Sequence, residues 1–231
     1  PPGVRWVLFD PTGGQQAGPL TKRIYVGVSG YGVYRTDDAG LTWRRIYTIT
    51  KPATDPQSVP VTAKMGGGYL YALLEGWFRK YDPVADTWTP IRNVGEWGAI
   101  TIDPKNPNLM FVSDSHLSSG HLWRSTDGGA TWSAALNLDI NPANCDPEWI
   151  CNTNVGDWMG IGDWHFDPFQ PDLIWLSEGM GMWQMTGLMN NTITMHFISR
   201  GIEEMVPADI VAPPGGVPVI TVMDRQGFYK P

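Results

Sequence analysis

One octapeptide pattern, written twice, constrains this chain more than any other feature. Thr36-Asp37-Asp38-Ala39-Gly40-Leu41-Thr42-Trp43 and Ser125-Thr126-Asp127-Gly128-Gly129-Ala130-Thr131-Trp132 share the order Ser/Thr-x-Asp-x-Gly-x-Thr-Trp. In each, hydroxyl and carboxylate oxygens can accept bonds from the turn's own amides, Gly permits positive φ, and Trp supplies apolar area between strands. A second signature, an apolar residue followed by Asp-Pro, recurs at Phe9-Asp10-Pro11, Ile102-Asp103-Pro104 and Phe166-Asp167-Pro168. Asp10 precedes Asp38 by 28 residues and Asp103 precedes Asp127 by 24. One supersecondary unit is therefore used repeatedly, with a loop of variable length.

Each unit divides into four short strands, most clearly at 98–102, 109–113, 121–125 and 131–136, separated by turn-forming residues. Helical spacing of apolar residues is not sustained anywhere without Gly or Pro intervening. These features predict an all-β chain, a β-propeller with Asp-box (BNR-type) repeats that forms part of a seven-bladed ring. Blades are expected at 4–49, 59–93, 97–138 and 158–198, with an incomplete one at 201–231. About four and a half blades are too few to close such a ring. The second lacks both motifs but keeps strand patterns around 69–74, 78–81 and 87–91.

Composition narrows the function. The 27 Gly and 20 Pro of 231 residues mark a turn-rich chain, while a 42% hydrophobic fraction still permits a large core. With a net charge of −7 and no basic cluster longer than two residues, no nucleic-acid partner is expected. No apolar run reaches the ~18 residues needed to span a bilayer, so no membrane partner is expected either. The opening Pro1-Pro2-Gly3 is read as that of a mature, processed or incomplete chain. Cys145 and Cys151 are placed to close a small loop by a disulfide, in keeping with a secreted or extracytoplasmic location; free thiols are the alternative. His116 and His121, near Asp114, are taken as solvated loop residues. No cofactor or metal is expected.

In a four-stranded meander the first-to-second and third-to-fourth turns share one end. The second-to-third and blade-to-blade connections share the other. The stereotyped Asp-Pro and Asp-box turns thus mark an inert face, and Asp38 and Asp127 are read as structural. Function is assigned to the opposite face, which carries the irregular loops. Its carboxylates by this reading are Glu75, Asp114, Glu178, Glu203, Glu204 and Asp224. The aromatic residues Trp77, Trp97, Trp149 and Trp158 lie near them and suit stacking on sugar rings.

The stretch Gly201-Ile202-Glu203-Glu204, then Ala212-Pro213-Pro214-Gly215-Gly216-Val217-Pro218, then Asp224-x-x-Gly227-Phe228 resembles the start of the second propeller of glycoside hydrolase family 74, the xyloglucan-active endoglucanases. Trp158-Met159-Gly160, Ile161-Gly162-Asp163, Phe166-Asp167-Pro168-Phe169 and both Asp boxes are similar to later blades of that family's first propeller. The resemblance implies that 1–198 supply about four blades of a first propeller and 199–231 begin a second or supply closing strands. It implies inverting endo-type hydrolysis of a β-1,4-glucan backbone, with Asp224 as general acid and a second aspartate from blades outside this sequence as general base. An inverting pair keeps its carboxyls roughly 6.5–9.5 Å apart. Expected partners are a polysaccharide or oligosaccharide and the remaining blades, from another segment or chain. Trp149, Trp158, Trp97 and Glu203 are the expected substrate-binding residues.

The chain departs from the family at Met223, where a small residue is usual, and at Gln226, where glycine is. The 114–120 loop lacks the family's paired tryptophans, and the Leu74–Trp77 connection is shorter than its Gly-rich loop. A non-catalytic glycan- or protein-binding propeller is the alternative function. A sialidase would need an arginine triad and a tyrosine nucleophile, for which no Arg here is convincingly placed.

Overall fold

A computed structural model describes residues 3–13, 20–52, 54–95, 98–113, 120–146, 161–179 and 181–201, together with three later strands at 207–211, 219–222 and 228–229. The first four-stranded sheet runs β1 (Val4–Phe9), β2 (Ile24–Val28), β3 (Gly32–Thr36) and β4 (Arg44–Thr48) in sequence order. A second repeats that order with β5 (Ala63–Gly66), β6 (Tyr69–Leu74), β7 (Trp77–Asp82) and β8 (Thr87–Asn93). The third sheet contains β9 (Ala99–Ile102), β10 (Met110–Ser113) and β11 (Leu122–Ser125). After β12 (Asn137–Asp139) and β13 (Cys145–Asp146), the fourth sheet is built from β14 (Ile161–Phe166), β15 (Leu173–Glu178), β16 (Gly181–Thr186) and β17 (Thr192–Ile198). A short sheet of β18 (Pro207–Val211), β19 (Val219–Val222) and β20 (Phe228–Tyr229) follows.

Within these sheets the consecutive strands pair antiparallel. The innermost strands β1, β5, β9 and β14 lie side by side in chain order, as blades around an axis do. Among the described residues no comparable contact joins β14 back to β1.

The core lies between blades, not inside them. Tyr25 and Val33 of the first sheet pack on Leu70, Leu74 and Tyr81 of the second. On the other side of the second sheet, Tyr71, Leu73 and Phe78 meet Ile100, Met110 and Val112 of the third. Phe111 and Leu122 then meet Trp164, Trp183 and Phe197 of the fourth. A twisted sheet buries both faces only when sandwiched, and period-2 alternation supplies an apolar side chain to each. Polar bonds add to the first of these interfaces: Arg35 of β3 donates to the Tyr81 hydroxyl at 3.0 Å and to the Pro83 carbonyl at 2.9 Å.

The third blade departs from the four-strand expectation. Residues 131–136 form no regular strand. Ser133 and Leu136 amides donate to the Arg124 and Leu122 carbonyls, but the Ser133 hydroxyl takes the Arg124 amide at 3.1 Å, where a ladder carbonyl would otherwise sit. The chain then leaves this blade, and β12 and β13 pair parallel with the outer strand β17 of the next. This strap covers a sheet edge that would otherwise expose unpaired amides.

Gly32 occupies φ +127°, and a Cβ there would stand 1.9 Å from the Tyr47 carbonyl oxygen. Gly32→Ala is expected to destabilise the first blade by about 2–4 kcal/mol, because both the backbone conformation and the close strand approach forbid a side chain. Urea denaturation followed by tryptophan fluorescence measures it.

Candidate functional face

The two Asp boxes fold identically. In the first, the Asp38 carboxylate accepts from the Thr36 hydroxyl at 2.6 Å, the Thr42 amide at 2.9 Å and the Thr42 hydroxyl at 2.5 Å, while Trp43 Nε1 donates to the Gly40 carbonyl. Asp127 repeats this with Ser125 and Thr131, and Trp132 donates to Gly129. Hydrogen bonds from the Thr36 and Thr42 hydroxyls hold Asp38 down to about 2, and those from Thr131 and Ser125 hold Asp127 there too. Both boxes sit in the turn after the third strand, as expected.

These turns lie against the first-to-second strand turns of their own blades. The Ala39 amide donates to the Lys22 carbonyl, and the Gly128 amide to the Asn108 carbonyl. The fourth blade has no Asp box, yet Asp172 of its first-to-second turn accepts from the Gly187 and Leu188 amides at 2.9 and 2.7 Å. Asp10, Asp103 and Asp167 each accept a bond from the amide two residues on, which makes the three Asp-Pro sites the same turn. One face of the propeller is thus a rim of saturated turns.

On the opposite face three connections converge. Glu75 and Gly76 link β6 to β7 with φ of 52° and 77°. Glutamate is a poor choice for such a turn, where Asn, Asp or Gly is preferred. Its side chain explains the choice: the Glu75 carboxylate accepts from the Tyr47 hydroxyl at 2.7 Å, the Thr50 amide at 2.8 Å, the Thr50 hydroxyl at 2.6 Å and the Lys51 amide at 3.1 Å. Burial alone would raise its pKa, but the bonds from Thr50 and Tyr47 prevail and lower it. Burial, with the bond to Glu75, pushes the Tyr47 hydroxyl up to about 12. The Val94 and Gly95 amides both donate to the Gly76 carbonyl from the other side. Glu75 therefore lies where the sequence reading puts it, but as a clamp between the first two blades.

A second cluster crosses the axis and escaped the sequence reading. Lys64 of β5, 7% exposed, reaches Asp163 of β14 at 2.6 Å. His165 Nε2 stands 2.9 Å from the other Asp163 oxygen and 3.0 Å from Lys64 Nζ, so its tautomer decides which contact is the hydrogen bond. Burial favours protonated Asp163, yet the His165 bond and the Lys64 charge hold it down to about 2. Lys64 is lowered by burial, against the pull of Asp163. A lysine within an apolar strand run was the only signal available, and a separation of 99 residues hid its partner.

Asp224, Trp149, Trp158, Trp97 and Glu203 all lie outside the described residues, as do Asp114, His116, Glu204, Met223 and Gln226. The backbone strand β19 ends two residues before Asp224. Cys145 is disulfide-bonded, and Cys151 is the chain's one other cysteine. Among the described residues, no group of three or more His, Cys, Asp or Glu side chains is arranged to hold a metal ion.

The chain is 26% identical, over an alignment of 271 positions, to a xyloglucanase of a Paenibacillus species and 29% identical, over 274 positions, to one of Acetivibrio thermocellus. The match covers 98% of this chain in both cases. The chain is similar to these xyloglucanases along nearly its whole length. It spans 26% and 32% of the lengths of those two relatives. The family 74 xyloglucanase of Xanthomonas campestris superposes with a TM-score of 0.71 at 27% identity, over 98% of this chain and 35% of that one. A family 74 enzyme of Niastella koreensis, 24% identical, shares the fold with a TM-score of 0.73 over 99% of this chain and 36% of its own. No family model matches the chain.

Every described carboxylate with a resolved shift, from Asp37 to Asp167, is moved downward. A general acid needs the opposite. For Asp163, whose folded pKa lies below its unfolded value near ~3.9, the contribution to stability is present above that value and lost as pH falls towards about 2. Asp163→Asn is therefore expected to lower the melting temperature by about 2–4 °C at pH 6–7. The gap from the native protein should shrink on titration to pH 2, as differential scanning fluorimetry would record.

Proposed function

We propose that this chain contributes blades to an endo-acting, inverting glycoside hydrolase that cuts the β-1,4-glucan backbone of xyloglucan. The observation that carries this reading is the match over 98% of the chain to proteins named as xyloglucanases. Residues 1–198 are assigned to a first propeller and 199–231 to the start of a second. Further blades complete the ring. The outer face of the first sheet supports this: Val4, Val7, Phe9, Tyr31 and Trp43 are between 44% and 62% exposed, on the side away from the second blade. Val4, Tyr31 and Trp43, with Val26, Val28 and Tyr34, line a shallow apolar groove of about 510 Å³, a surface of the kind each other blade buries against its neighbour. The disulfide at Cys145 agrees with secretion into an oxidising compartment.

Asp224 is the proposed general acid, protonating the leaving oxygen while a carboxylate from outside this sequence activates water on the far side of the anomeric carbon. Its assignment rests on the Asp-x-x-Gly-Phe resemblance, and the downward shifts of the described carboxylates favour a donor elsewhere. Trp97, Trp149 and Trp158 are proposed to stack on the glucan, with Glu203 bonding its hydroxyls. In the intact protein Asp224→Asn should cut turnover on xyloglucan by about 10²–10⁴-fold with an unchanged melting temperature. Aryl glycosides with good leaving groups should lose less. Near-native turnover by the variant would remove Asp224 from the reaction, and a native protein that binds xyloglucan without cutting it would mark a non-catalytic propeller.

A further inference from the structure

Trp77 stands on the irregular face where three described connections meet. It begins β7 directly after the Glu75–Gly76 turn, is 37% exposed, and pairs across the hairpin with Asn93. The turn is held from one side by Tyr47, Thr50 and Lys51 through Glu75, and from the other by the Val94 and Gly95 amides on the Gly76 carbonyl. Gln57 Nε2 lies against Gly76, 3.3 Å from where a Cβ would be. Beneath the ring the Arg79 guanidinium is shared between two aromatics, 6.0 Å from the Trp77 centroid and 5.4 Å from that of Tyr47.

A partly exposed indole is common and by itself indicates nothing. Here the turn that precedes it is held by three separate connections on the face opposite the Asp-box turns. The left-handed Glu75 shows that a less favourable turn residue is retained for the clamp it makes. An aromatic plate carried on a braced strand end, with the amide side chains of Gln57 and Asn93 close by, suits a pyranose ring, whose axial C–H groups meet the π-face while its hydroxyls meet the amides. Pre-ordering the plate removes the entropy that a mobile tryptophan would lose on binding.

We propose that Trp77, set on the Glu75-clamped hairpin, is a stacking site for one sugar unit of a β-glucan chain. The identity of that ligand rests on the xyloglucanase reading given above. Glu75 is a positioning residue for the plate and takes no part in bond cleavage.

The test uses the intact protein with Trp77→Ala, Trp77→Phe and, as a control on the Asp-box face, Leu41→Ala. On polymeric xyloglucan Trp77→Ala should raise KM about 5- to 30-fold with a much smaller change in kcat, Trp77→Phe should recover most of that loss, and Leu41→Ala should match the native protein. Melting temperatures report whether each variant is folded. An active native enzyme whose KM is unmoved by Trp77→Ala overturns the stacking site while the hydrolase reading stands. If the native protein does not cut xyloglucan, the hydrolase reading fails. Affinity electrophoresis in gels containing xyloglucan or mixed-linkage β-glucan then decides the site: retardation lost in Trp77→Ala supports it, and equal migration of native and variant protein overturns it.

Discussion

Everything in this molecule depends on one sheet burying the face of the next. A four-stranded blade of 20 to 30 paired residues has too little interior to hold itself, so its stability is that of the two interfaces it makes. The clusters around Tyr81, Phe78 and Trp164 are those interfaces in succession, and each draws its largest side chains from both of the blades it joins. The apolar outer face of the first sheet follows from the same rule. Its Val7, Phe9 and Trp43 are exposed apolar side chains of the kind the other blades bury.

Apolar packing sets the distance between blades but says little about their rotation, and the polar contacts supply that. Arg35 ties the third strand of the first blade to Tyr81 and Pro83 of the second, Glu75 ties the second blade back to the link at Thr50, and Lys64 reaches across the axis to Asp163. These three contacts lie in different places: on the Asp-box side, on the irregular face and between inner strands of the second and fourth blades. A blade held at three separate points cannot tilt freely without straining a charge-assisted bond. The irregular face is therefore rigid near the second blade, where stacking on a sugar would need it to be.

The fold was legible because turn chemistry is local. Asp10, Asp38, Asp103, Asp127 and Asp167 each bond amides within four residues, so the oxygen, amide and glycine that define the turn are adjacent in the sequence. The boundaries of the first, third and fourth blades followed from those turns, and those of the second from strand patterns alone. The Ser133 hydroxyl defeated the expected fourth strand of the third blade, since nothing in Thr-Trp-Ser-Ala-Ala-Leu warns that a side chain will displace a ladder carbonyl. The Glu75 clamp and the Lys64 cluster were illegible for a different reason. Their partners are 24 to 101 residues away, and only the ring brings those segments together. The residues expected at 97, 149, 158, 203 and 224 were placed on the irregular face by the meander argument, but the general-acid role of Asp224 rests on resemblance to a family, which is information about ancestry and not about local physics.

The division between faces also explains why so many carboxylates here are unsuited to acid catalysis. A turn aspartate is useful as an acceptor only while ionised, and each amide or hydroxyl it gathers favours that state further. Asp38 and Asp127, with their pKa values near 2, are the limit of this trend. Glu75 is lowered by the same logic on the other face, although its environment is partly buried. A proton donor needs a carboxyl with few donors around it and apolar surface or another carboxylate beside it, an arrangement that would leave a turn unsupported. Structural and acid-catalytic carboxylates are thus mutually exclusive in a repeat of this kind. A blade that supplies the acid has to supply it from a connection where the backbone is held by something else.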